Sequence, residues 1–249
     1  MSPAVAETSS AVEVDRRSFL KALGRVRPVV ARQAPKPVLR CVHLAAADGV
    51  LQISATDLEV SVTTVLQSHG DLPACVVPFH ELLQRVRTGT AGECLLQLGH
   101  EGETLRINGG RVEHSIGVMN PAEYPPVPTQ VDGQALVLAS KSFRDALAVV
   151  AIAMARESSR YAIDGVLLES DANGARMVAT DGRRMVVVEM EAKRRGFHGQ
   201  VILPKKLVTV LGRLIGGRDE RVRLVVQRPA ASNGNPVPAR VTVASRDWT

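Results

Sequence analysis

The chain carries the same short sequences twice. The pair Ser18-Phe19 recurs as Ser142-Phe143, each time at the start of a helix-like apolar pattern. The triplet Ala55-Thr56-Asp57 recurs at the same distance as Ala179-Thr180-Asp181. Sequences repeated at one spacing indicate two copies of a structural unit rather than one large enzyme core.

Within each copy a smaller pattern also occurs twice: a strand, a helix and then three strands. Asp48-Gly49 joins two of the strands and is a strong hairpin signal. Because helix and sheet faces must be buried together, the sequence predicts an α+β fold with helices on one face of antiparallel sheets. We expect a flexible tail over residues 1–11 and domains over 12–128 and 129–249, separated by the proline-rich segment 120–128.

The second copy stops before the first copy would. In the first, the strand-like Leu105-Arg106-Ile107 is followed by a further strand pattern over 111–119. In the second, Val241-Thr242-Val243 is followed by only a few residues. The expectation from this difference is a second domain that lacks its last strand and is marginally stable.

The charge permits a polyanionic partner. Lys and Arg number 31 against 25 Asp and Glu, a formal net charge of +6. Basic residues recur on the polar side of every predicted helix, which favours contacts with phosphates over the reading of bases. Aromatic residues make up only 3% of the chain, which argues against a base-stacking platform for single strands.

No catalytic motif is present, and neither a cofactor nor a metal is expected. Asp57 and Asp181 could be metal carboxylates of a nuclease, and this remains the enzyme alternative. They occupy the same place in two repeats, however, which is more typical of turn residues at strand ends. The three cysteines, at 41, 75 and 94, have no paired spacing. Reduced, buried thiols and a cytoplasmic location are therefore predicted.

Several segments resemble the bacterial sliding clamp, the beta subunit of DNA polymerase III. The most specific is Arg160-Tyr161-Ala162-Ile163-Asp164-Gly165-Val166-Leu167 with Val178-Ala179-Thr180-Asp181-Gly182-Arg183-Arg184-Met185, which is similar to the central domain. The segment from Ala47 to Val60 and the junction Glu123-Tyr124-Pro125 are similar to the N-terminal domain. The likeness extends in order from about residue 12 to residue 249, while the family's third domain is absent.

The resemblance implies a DNA-clamp fold and a non-catalytic role. In that family a ring of domains encircles double-stranded DNA without sequence preference and raises polymerase processivity. The implied partners are duplex DNA, the polymerase III catalytic subunit, the clamp loader, repair polymerases and, for a complete chain, further copies in a homo-oligomeric ring; no membrane is involved. The chain would be an accessory subunit of a nucleotidyltransferase holoenzyme. A two-domain variant that closes as a trimer is the other clamp alternative.

The same resemblance assigns two sets of site residues. Those implied to contact DNA are Arg32, Arg156, Tyr161, Lys205 and Lys206. Those implied to form the central-domain half of a pocket for short hydrophobic partner peptides are Ile163, Thr180, Gly182, Arg183, Arg184 and Met185. Ordinary core packing is the competing interpretation of Ile163 and Met185.

Overall fold

Two units make up the chain. The first comprises Met1–Val127 with Trp248, and the second comprises Pro128–Asp247 with Thr249. The structure, a computed structural model, describes residues 11–89, 92, 94–127, 135–155, 165–171, 174–216, 221–227, 240–245 and 248, with the backbone alone at 193–195.

The first unit contains eight described strands and two α-helices. In chain order they are β1 (Ala11–Asp15), α1 (Arg16–Val26), β2 (Cys41–Ala47), β3 (Val50–Thr56), β4 (Ser61–Gln67), β5 (Leu72–Pro78), α2 (Phe79–Gln84), β6 (Leu95–Glu101), β7 (Thr104–Asn108) and β8 (Glu113–Gly117). The strands form two four-stranded antiparallel sheets, ordered β1-β6-β7-β8 and β4-β3-β2-β5. A π-helical turn over Arg85–Gly89 continues α2.

The second unit repeats this plan. Its described elements are β9 (Ala135–Ala139), α3 (Ser140–Val150), β10 (Gly165–Ser170), β11 (Ala175–Thr180), β12 (Met185–Met190), β13 (Ala192–Arg195), β14 (Gly199–Pro204), α4 (Lys205–Leu214), β15 (Arg221–Gln227) and β16 (Arg240–Ala244). The sheets are ordered β12-β11-β10-β14 and β13-β9-β15-β16, and every pairing is antiparallel. The predicted α+β class and the repeated strand-helix-three-strand unit are confirmed.

Helix α1 forms where a side-chain cap and an apolar stripe agree, whereas α2, α3 and α4 have the apolar stripe without a side-chain cap hydrogen bond. Asp15 precedes α1, and its carboxylate accepts a hydrogen bond from the Ser18 backbone N–H at 2.7 Å, which satisfies a donor that the first turn leaves open. Phe19, Leu23 and Val26 recur at three- and four-residue spacing and are fully buried. Phe143 occupies the corresponding buried position in α3.

The sheets bury alternate residues because side chains point to opposite faces of a strand. In β7, Leu105 and Ile107 are buried, whereas Arg106 between them is exposed. The hairpin between β2 and β3 turns at Asp48 and Gly49, whose φ angles are +53° and +76°. These two positive values are typical of the tight turn that Asp-Gly favours, as predicted.

The proline-rich segment after β8 packs on the first unit instead of acting as a free spacer. Residues Pro121–Glu123 form a short 3-10 turn. Tyr124 is buried, and its hydroxyl lies 3.4 Å from the Cys41 carbonyl oxygen and 3.3 Å from that of Ser54. Burial raises the pKa of Tyr124 to about 12. Tyr124 therefore anchors the segment on the first unit, and Val127 packs against the same apolar cluster.

Three details differ from the sequence-based expectations. The first strand includes Ala11, which the sequence had assigned to the tail. Strand β13 was not predicted at all. Cys94 is exposed, whereas Cys41 and Cys75 are buried as expected. No described helix is long and apolar enough to cross a membrane.

Candidate partner-binding and DNA-facing sites

A tight turn between β11 and β12 brings together most of the predicted peptide-binding residues. Asp181 Oδ1 accepts hydrogen bonds from the backbone N–H groups of Arg183 and Arg184, both at 3.0 Å. The Thr180 hydroxyl donates to the Arg184 carbonyl oxygen at 2.9 Å and accepts from the Gly182 N–H at 3.1 Å. Two side chains thus satisfy the backbone groups of the turn and hold it in one shape.

The charge of Asp181 is part of this turn. The backbone hydrogen bonds from Arg183 and Arg184 hold the pKa of the Asp181 carboxyl below its ordinary value, and the Arg184 guanidinium adds to the effect. Arg184 Nε donates to Asp181 Oδ2 at 2.9 Å. The Arg184 side chain is therefore directed by its own turn, while Arg183 is exposed.

Gly182 and Met185 leave an open, apolar surface beside the turn. Gly182 has a φ of +84°, and a Cβ atom placed on it would meet nothing within 4 Å. Glycine is favoured here because other residues are strained at such a φ. Met185 is 66% exposed, so the core-packing interpretation of this residue is wrong. Large exposed apolar side chains beside a rigid turn are suited to contact with a partner.

The aspartates singled out as possible metal ligands are turn residues. Asp57 Oδ1 accepts hydrogen bonds from the backbone N–H groups of Glu59 at 3.1 Å and Val60 at 2.9 Å. Asp181 has the same role in the second unit. Among the described residues no group of His, Cys, Asp and Glu could hold a metal ion. The geometry therefore gives the nuclease alternative no support.

Lys205 and Lys206 open helix α4, directly after Pro204. Lys205 Nζ donates to the Ala155 carbonyl oxygen at 3.3 Å, and both lysines are partly exposed. A helix N-terminus carries partial positive charge, so lysine is electrostatically disfavoured there. A helix that nonetheless begins with two lysines provides a local concentration of positive charge that an anion would stabilise.

The other long helices begin in a similar way. Helices α1, α3 and α4 carry no acidic residue in their first turns. Arg17 and Lys21 of α1 and Lys141 of α3 are exposed. Arg16 is used inside the fold, since its guanidinium donates to the carbonyl oxygens of Val86 at 3.2 Å and Arg87 at 3.0 Å. The starts of α1 and α4 are therefore basic, whereas Lys141 and Arg144 of α3 form ion pairs with Asp145 of the same helix.

Of the other residues predicted to contact DNA or a partner peptide, the structure describes Arg32 alone. Arg32 is exposed after α1. Arg156, Tyr161 and Ile163 lie outside the described residues. The structure thus brings Thr180, Gly182, Arg183, Arg184 and Met185 together in one turn, and places Lys205 and Lys206 together at one helix end.

Two family models match the chain, one after the other. The DNA polymerase III beta subunit N-terminal domain matches residues 11–128. The central domain of the same subunit matches residues 137–241. Together they cover most of the chain in the order of the resemblance. The chain belongs to the beta subunit family of bacterial DNA polymerase III.

Individual sliding clamps agree with this assignment. The beta sliding clamp of Escherichia coli strain K12 is 29% identical over 217 residues, which are 86% of this chain and 58% of that protein. The clamp of Haemophilus influenzae is 29% identical over 215 residues with the same coverage. The chain therefore spans 58% of the length of these curated relatives.

Solved sliding clamps share the fold. The Caulobacter crescentus beta sliding clamp is 26% identical, with a TM-score of 0.77 over 87% of this chain and 59% of that chain. The Bacillus subtilis clamp is only 14% identical, yet has a TM-score of 0.85 over 97% of this chain and 63% of that chain. The second likeness concerns the fold alone, and it indicates that very different sequences satisfy the same architecture.

Sequence reasoning about the candidate peptide-binding turn missed the part played by Asp181. The aspartate was interpreted only as a turn residue, but it also binds Arg184 and fixes the backbone on both sides of Gly182. The signal that could have identified it is the repeat itself, since the Thr-Asp pair precedes a left-handed residue in both units. Nothing in the sequence indicates that Arg16 holds the π-helical turn.

Proposed function

We propose that this chain acts as a sliding-clamp component that holds duplex DNA and tethers a replicative polymerase without chemistry of its own. The observation that carries the proposal is the repeated arrangement of basic helices on antiparallel sheets. Helices α1 and α2 lie on sheets of the first unit, and α3 and α4 contact each other and the sheets of the second. Exposed basic side chains on the helices, such as Arg17, Lys21 and Lys141, carry the proposal, although strands such as β15 also expose arginines.

Such a surface suits DNA that must be held and yet slide. Contacts between Lys or Arg and phosphates carry no sequence information, so they do not fix the protein at one position. They also release counterions, which makes the binding depend on salt. The residues proposed for this role are Arg32, Arg156, Tyr161, Lys205 and Lys206.

The turn from Thr180 to Met185, together with Ile163, is proposed as the site for partner peptides. Its backbone is held by Thr180 and Asp181, Gly182 leaves room for close approach, and Met185 offers an apolar contact. The proposed partners are the catalytic subunit of polymerase III, the clamp loader and repair polymerases, acting in the cytoplasm. Each would use a short hydrophobic segment whose apolar anchors supply most of the binding energy.

The DNA part of the proposal is tested by the salt dependence of duplex binding. The logarithm of the binding constant should fall linearly with the logarithm of salt concentration, by roughly 0.9 for each phosphate contact. Replacing Lys205 and Lys206 by Ala should lower this slope by about 2 in absolute value, since two phosphate contacts are removed. The measurement is fluorescence anisotropy of a labelled duplex at several salt concentrations.

A matched control comes from the same unit. Arg221 and Arg223 are exposed on β15, on the face opposite the buried Val222 and Leu224. The double variant Arg221→Ala with Arg223→Ala removes the same charge from a sheet and should leave the slope unchanged. Equal slopes for the lysine variant and the unmodified chain would contradict the assignment of Lys205 and Lys206.

A further inference from the structure

One face of the β12-β11-β10-β14 sheet carries an apolar row that crosses all four strands. The strand register places Val187 beside Val178, Val178 beside Leu167, and Leu167 beside Ile202. Val187 is 46% and Ile202 50% exposed, and the two side chains between them are partly exposed. We refer to Val187, Val178, Leu167 and Ile202 as the apolar row.

The apolar row faces away from the helices of its unit. Alternate residues of the same strands, such as Ala179, Val166 and Leu203, are buried on the opposite face. That face packs on helices, since β11 and β12 contact α3 while β10 and β14 contact α4. The apolar row is therefore separate from the basic helical surface proposed to contact DNA.

The next row along the strands is charged. Its members in register are Glu189, Arg176, Glu169 and Gln200. Arg176 forms an ion pair with Glu169. The hydrogen bond and charge of Glu169 raise the pKa of Arg176, and the charges of Asp171 and Glu189 contribute further. One cation thus lies among three carboxylates.

These residues border an open depression of about 840 Å³ at the end of the sheet. Four carboxylates are among its described lining residues: Glu169, Asp171, Glu189 and Glu191. The basic or titratable nitrogen-bearing residues in that lining are Arg176 and His198. The depression is therefore acidic, although the chain as a whole has a net charge of +6. Ser170 also lines the depression, is only 4% exposed, and has a buried hydroxyl without a hydrogen-bond partner among the described residues.

We propose that the apolar row and the adjoining acidic depression form a docking surface for a protein segment that presents apolar side chains beside a lysine or arginine. The apolar side chains would cover the row, and the cation would enter the depression. The carboxylates disfavour nucleic acid and anionic lipid here, because both would bring further negative charge. This surface goes beyond the proposed peptide site at Gly182 and does not depend on it.

The test uses the full chain and two labelled decapeptides. One carries three valines alternating with threonine and then two lysines, and its twin carries two glutamates in place of the lysines. Fluorescence anisotropy should show saturable binding of the lysine peptide and at least about fivefold weaker binding of the glutamate peptide. Nonspecific attraction does not mimic this result, because the chain and the lysine peptide are both positively charged.

Variants assign the binding to the surface. Val187→Thr with Ile202→Thr should weaken binding of the lysine peptide by about fivefold, since two apolar contacts become polar. Glu169→Gln with Glu189→Gln should weaken it by about threefold and reduce its salt dependence. Val65→Thr, at a 41% exposed strand position of the first unit, should leave it unchanged; circular dichroism checks the fold of each variant.

The proposal is overturned by any of three results. These are the absence of saturable binding, equal binding of the two peptides, and a loss on Val65→Thr as large as that on the apolar-row variant. Failure of the proposed site at Gly182 is a separate outcome, because that site is tested with a different peptide.

Discussion

The turn between β3 and β4 and the turn between β11 and β12 have the same backbone but different surfaces. In each, a threonine hydroxyl and an aspartate carboxylate bind the backbone of the residues that follow. Both then contain a left-handed residue, Leu58 at +79° in the first unit and Gly182 at +84° in the second. The repeated Thr-Asp pair therefore specifies the turn, whatever residue comes third.

The two turns differ at the residues that follow the Thr-Asp pair. Leu58 is 64% exposed and places a side chain at the position where the equivalent Gly182 of the second unit leaves open space. Val60 is buried where Arg184 is exposed, and Ser61 stands in the register position of Met185. The comparison indicates that the two units share the turn scaffold, while the proposed binding surface is found in the second unit alone.

The first prediction concerns the threonines, which differ in burial. Thr56 is 3% exposed, and its hydroxyl contacts Leu58, Val60 and Ser61. Thr56→Val should lower the free energy of unfolding by about 1–3 kcal/mol, because buried donors lose their partner. Thr180→Val should lower it by only about 0.5–1.5 kcal/mol, since water can replace the lost bonds. Urea denaturation measures both, and equal losses would remove the distinction in burial.

The second prediction concerns peptide binding. Gly182→Trp should weaken binding of a labelled polymerase-derived hydrophobic peptide by about tenfold, or ~1.4 kcal/mol, because the indole fills the open space. Leu58→Trp is the matched variant in the other turn and should leave the affinity unchanged. Anisotropy titration measures the affinity of both variants. A loss of affinity with Leu58→Trp but not with Gly182→Trp would show that the peptide binds the first unit instead.

The third prediction concerns substitutions at the two left-handed positions. Gly182→Ala should lower the free energy of unfolding by about 1 kcal/mol, since alanine is strained at this φ. Leu58→Gly should raise it by about 0.5 kcal/mol, because relief of strain exceeds the added flexibility of the unfolded chain. Changes of the same sign in urea denaturation would show that the two positions are not equivalent.

The smallest effect is expected in acid. The pKa of Asp181 is lowered from its ordinary value of 3.8 by the backbone hydrogen bonds of Arg183 and Arg184. Its contribution to stability is therefore present above pH 3.8 and is lost as the pH falls below that value through the folded pKa. Carboxyl carbon NMR should place the midpoint for Asp181 below 3.8. A midpoint at or above this value would contradict the hydrogen bonding described for the turn.

Much of the fold could be predicted because local signals agree with the repeat. Asp15 caps a helix with a clear apolar stripe, and Asp48-Gly49 forms the expected hairpin. Strand β13 could not be predicted, since Ala192–Arg195 is mainly basic and shows no apolar alternation. It is defined by backbone pairing with β9 across an irregular register, which a sequence pattern does not contain.

The site was predictable only in part. Gly182 and Met185 were identified by resemblance, and their exposure agrees with a binding role. The strain at Leu58 and the acidic depression beside Arg176 depend on backbone angles and strand register. These features arise from residues that are distant in sequence and neighbours only in the folded sheet.

Hydrogen exchange of the full chain with and without the polymerase-derived peptide tests most directly whether the second turn alone is the binding surface. We expect the peptide to slow amide exchange over residues 180–185 and to leave exchange over residues 56–61 unchanged. Slower exchange at residues 56–61, or no change at residues 180–185 under saturating peptide, would contradict it.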